Sequence, residues 1–549
     1  MSKSVRIALA QINPVMGNLA ENVAKMSSFY NEALEAGVDV LVFGELAVCG
    51  YPPEDLMHKI YFLDENHRAI ELLAEKCPKI TIIAGFAESY NEKCYNSAAV
   101  MKNGKVERIY RKTLLPNYGV FDEKRYFHSG GEPVVIDING MGIAITICED
   151  IWDAKWLKAF LKDGHDYDLV LNLSGSPFHS GKVRERYAIL ERCAKKLDCA
   201  VGYCNLVGGQ DELVFDGQSM FVDSTGQIRA LGPAFEERLV IADVFSKSEI
   251  TQVSGCVEKM PELIDEIYRA LVTGTRDYVR KNGFKKVVIG LSGGIDSSLA
   301  AAIAVDALGA ENVVGITMPS RFNKAETISD AQIQAENLGM EFHNIPIEPI
   351  LKSFDEMLGK MPGWNNSGMG YENLQPRVRG TILMTLSNQN GYMVMTTSNK
   401  SETAVGYATL YGDTAGGFSM LKDVPKTMVY KLCSYINRIK GREVIPASVI
   451  HRPPTAELKD NQLDSDTLPS YDLLDKIIES YVEKDKSAQQ LVDSGMPVDE
   501  VNRVVAMIDR NEYKRRQSPP GIKITPKAFG RDRRLPITNQ YRSQAKSKN

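Results

Sequence analysis

Cysteine pairs at metal-ligand spacing are missing from this chain of 549 residues. Its nine cysteines are odd in number and scattered, with no Cys-x-x-Cys among them. That excludes the common zinc frameworks and a disulfide scaffold, and fits reduced thiols in a cytoplasm. Long apolar runs are missing as well. None approaches the roughly 18 residues a membrane helix needs, and the first residues lack a secretory h-region and cleavage site. The expectation is a cytoplasmic protein with no membrane partner. Positive charge is not in excess: 65 Lys and Arg stand against 70 Asp and Glu, a net charge of −5. Nucleic acid is therefore not expected as a partner on bulk charge. Internal repeats and low-complexity blocks are also absent. What remains is an ordinary globular composition, 44% hydrophobic and 25% charged, at a length that calls for two or three domains.

The most informative stretch is Gly290-Leu291-Ser292-Gly293-Gly294-Ile295-Asp296-Ser297-Ser298. It follows the apolar run Val287-Val288-Ile289 and opens a helix-like run that Gly309 ends. A strand turning through Ser-Gly-Gly into a helix makes an anion site, because glycines let the backbone approach and the first helical N–H groups point at the ligand. Asp296 beside an anion cradle suggests Mg²⁺ bridging protein and phosphate. A Walker A loop is excluded by the missing Lys. A Gly-x-Ser-x-Gly nucleophile elbow would need a later acid and then His, and only His343 and His451 follow. A plain tight turn would not call for Ser, Asp and two more Ser together. The string resembles the pyrophosphate loop of the ATP pyrophosphatase family, whose members adenylate a substrate oxygen. That resemblance implies ATP contacts from residues 290–297.

The first half alternates strand-like and helix-like stretches. Strands are expected at 5–12, 39–44, 80–86, 98–101, 106–110, 142–147, 168–173, 200–206 and 239–244, with helices over 19–36 and 183–197. Asn103-Gly104 marks one hairpin and Ser224-Thr225-Gly226 another. Three strands run out at Glu45, Lys112 and Cys148. Residues at the same ends of neighbouring strands converge in α/β proteins. A thiol nucleophile, a carboxylate base and an ammonium that stabilises an oxyanion form a coherent set. Each residue alone is better read blandly, Cys148 as core and Glu45 and Lys112 as capping surface charges. The segments Phe43-Gly44-Glu45-Leu46, Tyr110-Arg111-Lys112-Thr113-Leu114-Leu115-Pro116 and Ile147-Cys148-Glu149-Asp150 resemble the nitrilase, or carbon–nitrogen hydrolase, superfamily over about residues 5–245. The resemblance implies an αββα sandwich with a Glu45-Lys112-Cys148 triad and Glu123 as a second glutamate. It further implies glutamine binding by Tyr118, Glu149, Ser176 and Lys182.

Residues 246–258 are polar and aperiodic and read as a linker. An amphipathic helix is expected from Leu263. The alternation after it, with strands at 313–318 and 342–347 and a helix over 324–338, predicts a doubly wound parallel sheet. The stretch 371–379 should lead into a helix, and 393–395 form a short strand. With the loop, the segments Tyr371-Glu372-Asn373, Thr396-Thr397-Ser398-Asn399-Lys400-Ser401-Glu402, Lys426 and Pro453-Pro454-Thr455 resemble the NAD synthetase family over about 260–530. This implies ATP contacts from Thr397, Lys426 and Thr455, substrate dinucleotide contacts from Asn373, Glu402 and Lys514, and Mg²⁺ on Asp296 and Glu402. From Lys514 onward, eleven basic residues accompany one acidic residue. This tail reads either as solvated and partly disordered or as Lys514, Arg515 and Arg516 meeting phosphates.

The expected architecture is an α/β chain in two halves: a nitrilase-like sandwich over 1–245 and, after the linker, a doubly wound parallel sheet over 259–549. The two resemblances together imply a carbon–nitrogen ligase. Glutamine yields ammonia in the first half. ATP and Mg²⁺ activate nicotinic acid adenine dinucleotide in the second, and a tunnel joins the two. A homo-oligomer is expected. The alternatives are an amidase with a nucleotide-sensing domain and a tRNA-modifying ATP pyrophosphatase.

Overall fold

The computed structural model describes residues 3–161, 167–247, 250–460 and 462–546. The chain divides into two compact units, residues 1–266 and 267–549.

In the first unit β1 (Lys3–Gln11), β2 (Val40–Phe43), β3 (Thr81–Tyr90), β4 (Lys93–Lys102) and β5 (Lys105–Arg111) come first. They are followed by β6 (Val134–Ile138), β7 (Met141–Ile147), β8 (Leu169–Ser174) and β9 (Ala200–Asn205). A short hairpin, β10 (Val207–Gln210) and β11 (Leu213–Asp216), precedes β12 (Met220–Val222), β13 (Ile228–Leu231), β14 (Arg238–Lys247) and β15 (Ile250–Gly255). One sheet has the order β15-β14-β1-β2-β3-β4-β5 and the other β13-β12-β9-β8-β7-β6.

Side chains alternate across each sheet, as the strand period of two requires. Val5, Ile7, Leu9, Val40 and Val42 pack against Ile143, Ile145, Ile147, Leu171 and Leu173 of the other sheet. Ala8, Ala10, Leu41 and Phe43 point the opposite way, onto α1 (Leu19–Glu35) and α2 (Ile60–Lys76) through Met26, Tyr30, Leu63 and Ile70. The far face of the second sheet, with Ala144, Val170 and Val201, receives α3 (Ala154–Leu161) and α4 (Lys182–Leu197). The result is the expected αββα sandwich.

The stretch expected as a linker departs from that reading. Residues 250–255 form β15, paired antiparallel with β14 from Ala242↔Gly255 to Lys247↔Ile250. Val253, inward-facing and buried, joins the inter-sheet core. Its alternation was masked by the polar residues that face outward on an edge strand.

The second unit takes in most of α5 (Leu263–Lys281) and a five-stranded sheet. Its strands are β16 (Val287–Gly290), β17 (Val313–Thr317), β18 (Glu341–Asn344), β19 (Met393–Thr396) and β20 (Phe418–Ser419), in the order β18-β17-β16-β19-β20. Every neighbouring pair is parallel. The order reverses beside β16, and the crevice at such a reversal is where open α/β sheets bind ligands. The loop after β16 opens α6 (Ile295–Leu308), which is apolar nearly all round and buried accordingly. Behind it come α7 (Ala325–Leu338), α8 (Glu348–Leu358), α9 (Met369–Asn390), α10 (Lys400–Val405), α11 (Lys426–Lys440) and α12 (Ala447–His451). The stretch 371–379, expected to lead into a helix, already lies inside α9, which carries Pro376 internally.

The basic tail is folded over its described part, not solvated and disordered. Ile522 and Ile524 are buried, and Ala545 reaches a hydrophobic cluster with Val501 and Ile508. Arg515, expected to meet phosphates, is buried and donates to the carbonyls of Ala404 and Ile508 and to Glu512. Arg516 likewise pairs with Glu512. Among the described residues no helix is long and apolar enough to cross a membrane.

Candidate active sites

In the first unit the ends of β2, β5 and β7 bring Glu45, Lys112 and Cys148 into one buried cluster. Lys112 Nζ lies 2.6 Å from Glu45 Oε1 and 2.8 Å from Glu123 Oε1, so the proposed second glutamate joins the set. Glu45 is held further by Asn96 Nδ2 at 2.7 Å and the Gly175 backbone N–H at 2.8 Å. Gly85 allows this crowding. A Cβ there would stand 2.3 Å from the Leu46 nitrogen and 2.5 Å from the Gly44 carbonyl oxygen. Tyr51 donates to Glu123 at 3.0 Å. Cys148 opens a short 3₁₀ turn, Cys148–Ile151, with a positive φ of 44°, and is buried. A non-glycine residue in that region is strained, and such strain is held where surrounding structure over-determines it.

The electrostatics tie the four groups together. Burial opposes charge on Lys112, but Glu123 and Glu45 outweigh it and hold the ammonium well above the ordinary lysine range. Burial pushes Glu123 up to about 7 against the pull of Lys112, with Glu45 adding to the rise. The Cys148 thiol is pushed well up by burial and by Glu45, while Lys112 draws it down. Thiolate formation therefore depends on where the proton goes and on the Lys112 charge.

The residues expected to bind glutamine lie in the same unit. Tyr118, 55% exposed, donates to both carboxylate oxygens of Glu149 at 3.0 Å. Ser176 is buried, its Oγ accepting from Arg186 Nε at 3.2 Å, and Arg186 is paired with Asp216 at 2.7 Å. Lys182 Nζ contacts Glu185 at 2.9 Å and stands 4.5 Å above the Trp152 ring. Sequence reasoning missed Asn96, Tyr51 and Arg186. Asn96 sits in β4 and Arg186 in α4 with no local signal, because their role comes from what lies across the fold.

In the second unit two adjoining cavities of about 170 and 270 Å³ open at the loop. Ser292 and Asp296 line both. Gly293, Gly294, Ile295 and Lys426 line the smaller, and Gly290, Leu291, Ser297 and Thr397 the larger. Thr455 and Glu402 also face both. Ser292 and Ser297 hydroxyls lie 3.1 Å apart, and Ser292 Oγ accepts from the Gly294 N–H at 3.2 Å. Gly293 has φ +75°, and a Cβ there would meet the Thr327 carbonyl oxygen at 2.0 Å, so only glycine fits.

Asp296 and Glu402 flank the Lys426 ammonium, Glu402 at 3.3 Å and Asp296 in direct contact. Asn399 joins the two acids: its Nδ2 donates to Asp296 Oδ1 at 2.9 Å and its Oδ1 accepts from the Glu402 N–H at 2.9 Å. Burial, with Asp296 adding, pushes Glu402 up to about 8 against the pull of Lys426. Two carboxylates facing a cavity are oxygen donors of the kind Mg²⁺ takes, so Asp296 and Glu402 are the residues that would hold one. No group of three or more His, Cys, Asp or Glu that could hold a metal exists among the described residues.

Two expected substrate contacts sit off these cavities. Asn373 Oδ1 accepts from Thr409 at 2.8 Å. Lys514 Nζ donates to the carbonyls of Gly406 and Ala408 at 2.8 and 2.9 Å and lines a small pocket with Thr396 and Ser398.

A hydrolytic unit built around a buried cysteine and a unit built around an anion loop, on one polypeptide, define a two-activity carbon–nitrogen ligase. Residues 6–250 match the carbon–nitrogen hydrolase family model and residues 267–518 the NAD synthase model. Over 98% of its length the chain is 44% identical to the glutamine-dependent NAD(+) synthetase of Thermotoga maritima, covering 99% of that protein. A solved structure of the Acinetobacter baumannii glutamine-dependent NAD+ synthetase, in complex with ADP, superposes with a TM-score of 0.79 at 42% identity. That match covers 99% of this chain and 100% of that one. The Cytophaga hutchinsonii enzyme, at 23% identity and TM-score 0.83, shares the fold over 98% of both chains. The chain belongs to the glutamine-dependent NAD(+) synthetase family.

Proposed function

We propose that the chain makes NAD from nicotinic acid adenine dinucleotide, ATP and glutamine, releasing AMP, pyrophosphate and glutamate. The observation that carries this is the presence of two separate, chemically complete residue sets. One is Glu45, Lys112 and Cys148, and the other is the 290–297 loop with Asp296, Glu402 and Lys426.

In the first unit Glu45 takes the Cys148 proton and the thiolate attacks the glutamine amide carbon. Lys112, fixed at 2.6 Å from Glu45, stabilises the oxyanion. The proton passes to the leaving nitrogen, ammonia departs, and Glu45 then activates the water that frees glutamate from the thioester. Tyr118, Glu149, Ser176 and Lys182 bind the amino acid, and Glu123 holds Lys112 in place. In the second unit the loop N–H groups, Ser292 and Ser297 cradle the phosphates of ATP. Lys426 offsets the charge that builds on them. Asp296 and Glu402 would hold a Mg²⁺, which would supply further neutralisation. Thr397 and Thr455 contact ATP, and Asn373, Glu402 and Lys514 contact the dinucleotide. Its carboxylate attacks the α-phosphate, pyrophosphate leaves, and ammonia displaces AMP.

All nine cysteines are free, which suits a reducing cytoplasm. The test is mass spectrometry of products after incubation with ATP, glutamine and the deamido dinucleotide. NAD, AMP and glutamate in equal amounts are expected. Glutamate without AMP would leave an amidase with a nucleotide-sensing domain.

A further inference from the structure

Lys112 and Cys148 belong to different sheets. The lysine follows β5, the edge of the first sheet, and the cysteine follows β7 of the second. Apolar packing joins the two sheets, with backbone hydrogen bonds from the Glu45 N–H to Ser174 and from the Leu231 N–H to Cys256, and between the Lys112 and Cys148 segments a side-chain tie adds to these. Asp150 is fully buried and supplies one. Its Oδ1 accepts from the backbone N–H groups of Thr113 at 3.2 Å and Leu114 at 2.8 Å, directly after Lys112. Its Oδ2 accepts from the Tyr110 hydroxyl at 2.8 Å, two residues before Lys112, and from the Ile147 N–H at 3.0 Å, directly before Cys148. One carboxylate thus grips both sides of the lysine and the entry to the strained nucleophile turn.

A helix cap needs one acceptor for one donor. Four donors from two sheets on one buried carboxylate call for another explanation, since burying that charge is costly. We propose that Asp150 is a positioning residue for the glutaminase reaction, setting the Lys112 ammonium against the Cys148 sulfur. This rests on the catalytic reading above, in which those two groups react with glutamine.

The isosteric Asp150→Asn carries the test. An amide offers one acceptor oxygen and a donating nitrogen, so whichever way it turns, two of the four donors meet an N–H group. The tie then loosens on one side. Displacement of a reacting pair by about 1 Å costs on the order of 100-fold. In the full-length protein, Asp150→Asn is expected to lower glutamine-dependent kcat by about that factor and leave the glutamine KM within about threefold. The rate at which iodoacetamide labels Cys148 should fall in parallel, while ammonium-driven synthesis reports that the second unit is intact. Tyr110→Phe removes one donor and should show the same split at smaller size, which decides the matter if Asp150→Asn does not fold. Unchanged kcat in Tyr110→Phe together with an unfolded or unchanged Asp150→Asn overturns the proposal. So does a rise in KM alone, or unaltered labelling of Cys148. Failure of the wild type itself to make NAD from glutamine would sink the catalytic reading instead.

Discussion

Lys112 Nζ stands 2.6 Å from Glu45 Oε1, and neither side chain is exposed to solvent. The same ammonium contacts Glu123 at 2.8 Å, so one cation serves two buried carboxylates beside a buried thiol. Stability alone does not explain such a cluster, because desolvation offsets much of the attraction. In the reaction proposed above it is a charge held ready for the oxyanion that would form on attack by Cys148.

Lys112→Met should therefore cost both activity and stability. Loss of an oxyanion partner lowers turnover by about 10²–10³-fold, with far less effect on glutamine KM. Leaving two buried carboxylates without their cation costs about 3–5 kcal/mol. Glu123, already raised by burial, loses the pull of Lys112 and favours its protonated form further in the folded state, so its contribution is lost as pH rises. Thermal melts should show the variant closest to wild type at low pH and furthest from it at high pH. A surface lysine would show neither effect.

Glu123 gives a second pH signature. Burial raises it to about 7 in the folded protein, above the ordinary range of a glutamic acid in an unfolded chain. Its contribution to stability is fully present below the unfolded value and is lost as pH rises through about 7. Glu123→Gln does not titrate there. The stability difference between the two proteins should shift in favour of the glutamine variant between pH 5 and pH 8, as followed by denaturant unfolding. Parallel pH curves would mean Glu123 titrates normally.

Cys148→Ala should abolish NAD formation from glutamine and leave synthesis from ammonium nearly intact. The ammonium reaction should improve with pH, because only free ammonia attacks the adenylate. Separate assays with glutamine and ammonium chloride decide this. Equal losses in both, with the fold retained by circular dichroism, would mean the thiol is a packing residue.

Asp296→Asn should stop synthesis with either nitrogen source. The residue accepts from Asn399 and pairs with Lys426 at the mouth of the phosphate loop, where a cation is needed against the phosphates. Weaker Mn²⁺ binding in the presence of an ATP analogue, read by electron paramagnetic resonance, should accompany the loss. A defect limited to the glutamine reaction would assign Asp296 another task.

The placement of both residue clusters was legible in the sequence because each lies where a strand ends in short, information-dense turns. Gly293 had to be glycine, and Glu45, Lys112 and Cys148 each close an apolar run. Residues that act through the fold were not legible. Asn96 reaches Glu45, and Arg186 reaches Ser176, only after distant segments are packed together. Nothing at positions 96 or 186 marks them out along the chain.

By itself the sequence pointed to the doubly wound sheet through its alternation of strand and helix periods, while the αββα sandwich was implied by the resemblance that the Glu45, Lys112 and Cys148 segments carry. It also determined the anion loop, since local dihedrals decide that. Tertiary structure alone decided that 250–255 is an edge strand, that Arg515 is buried and donates to the Ala404 carbonyl, and that Asn399 holds Asp296 and Glu402 together. The physical reason is common to all three. A polar side chain on an edge strand, at a helix start or in a basic tail is compatible with solvent or with a specific buried partner, and which it meets depends on segments far away in sequence.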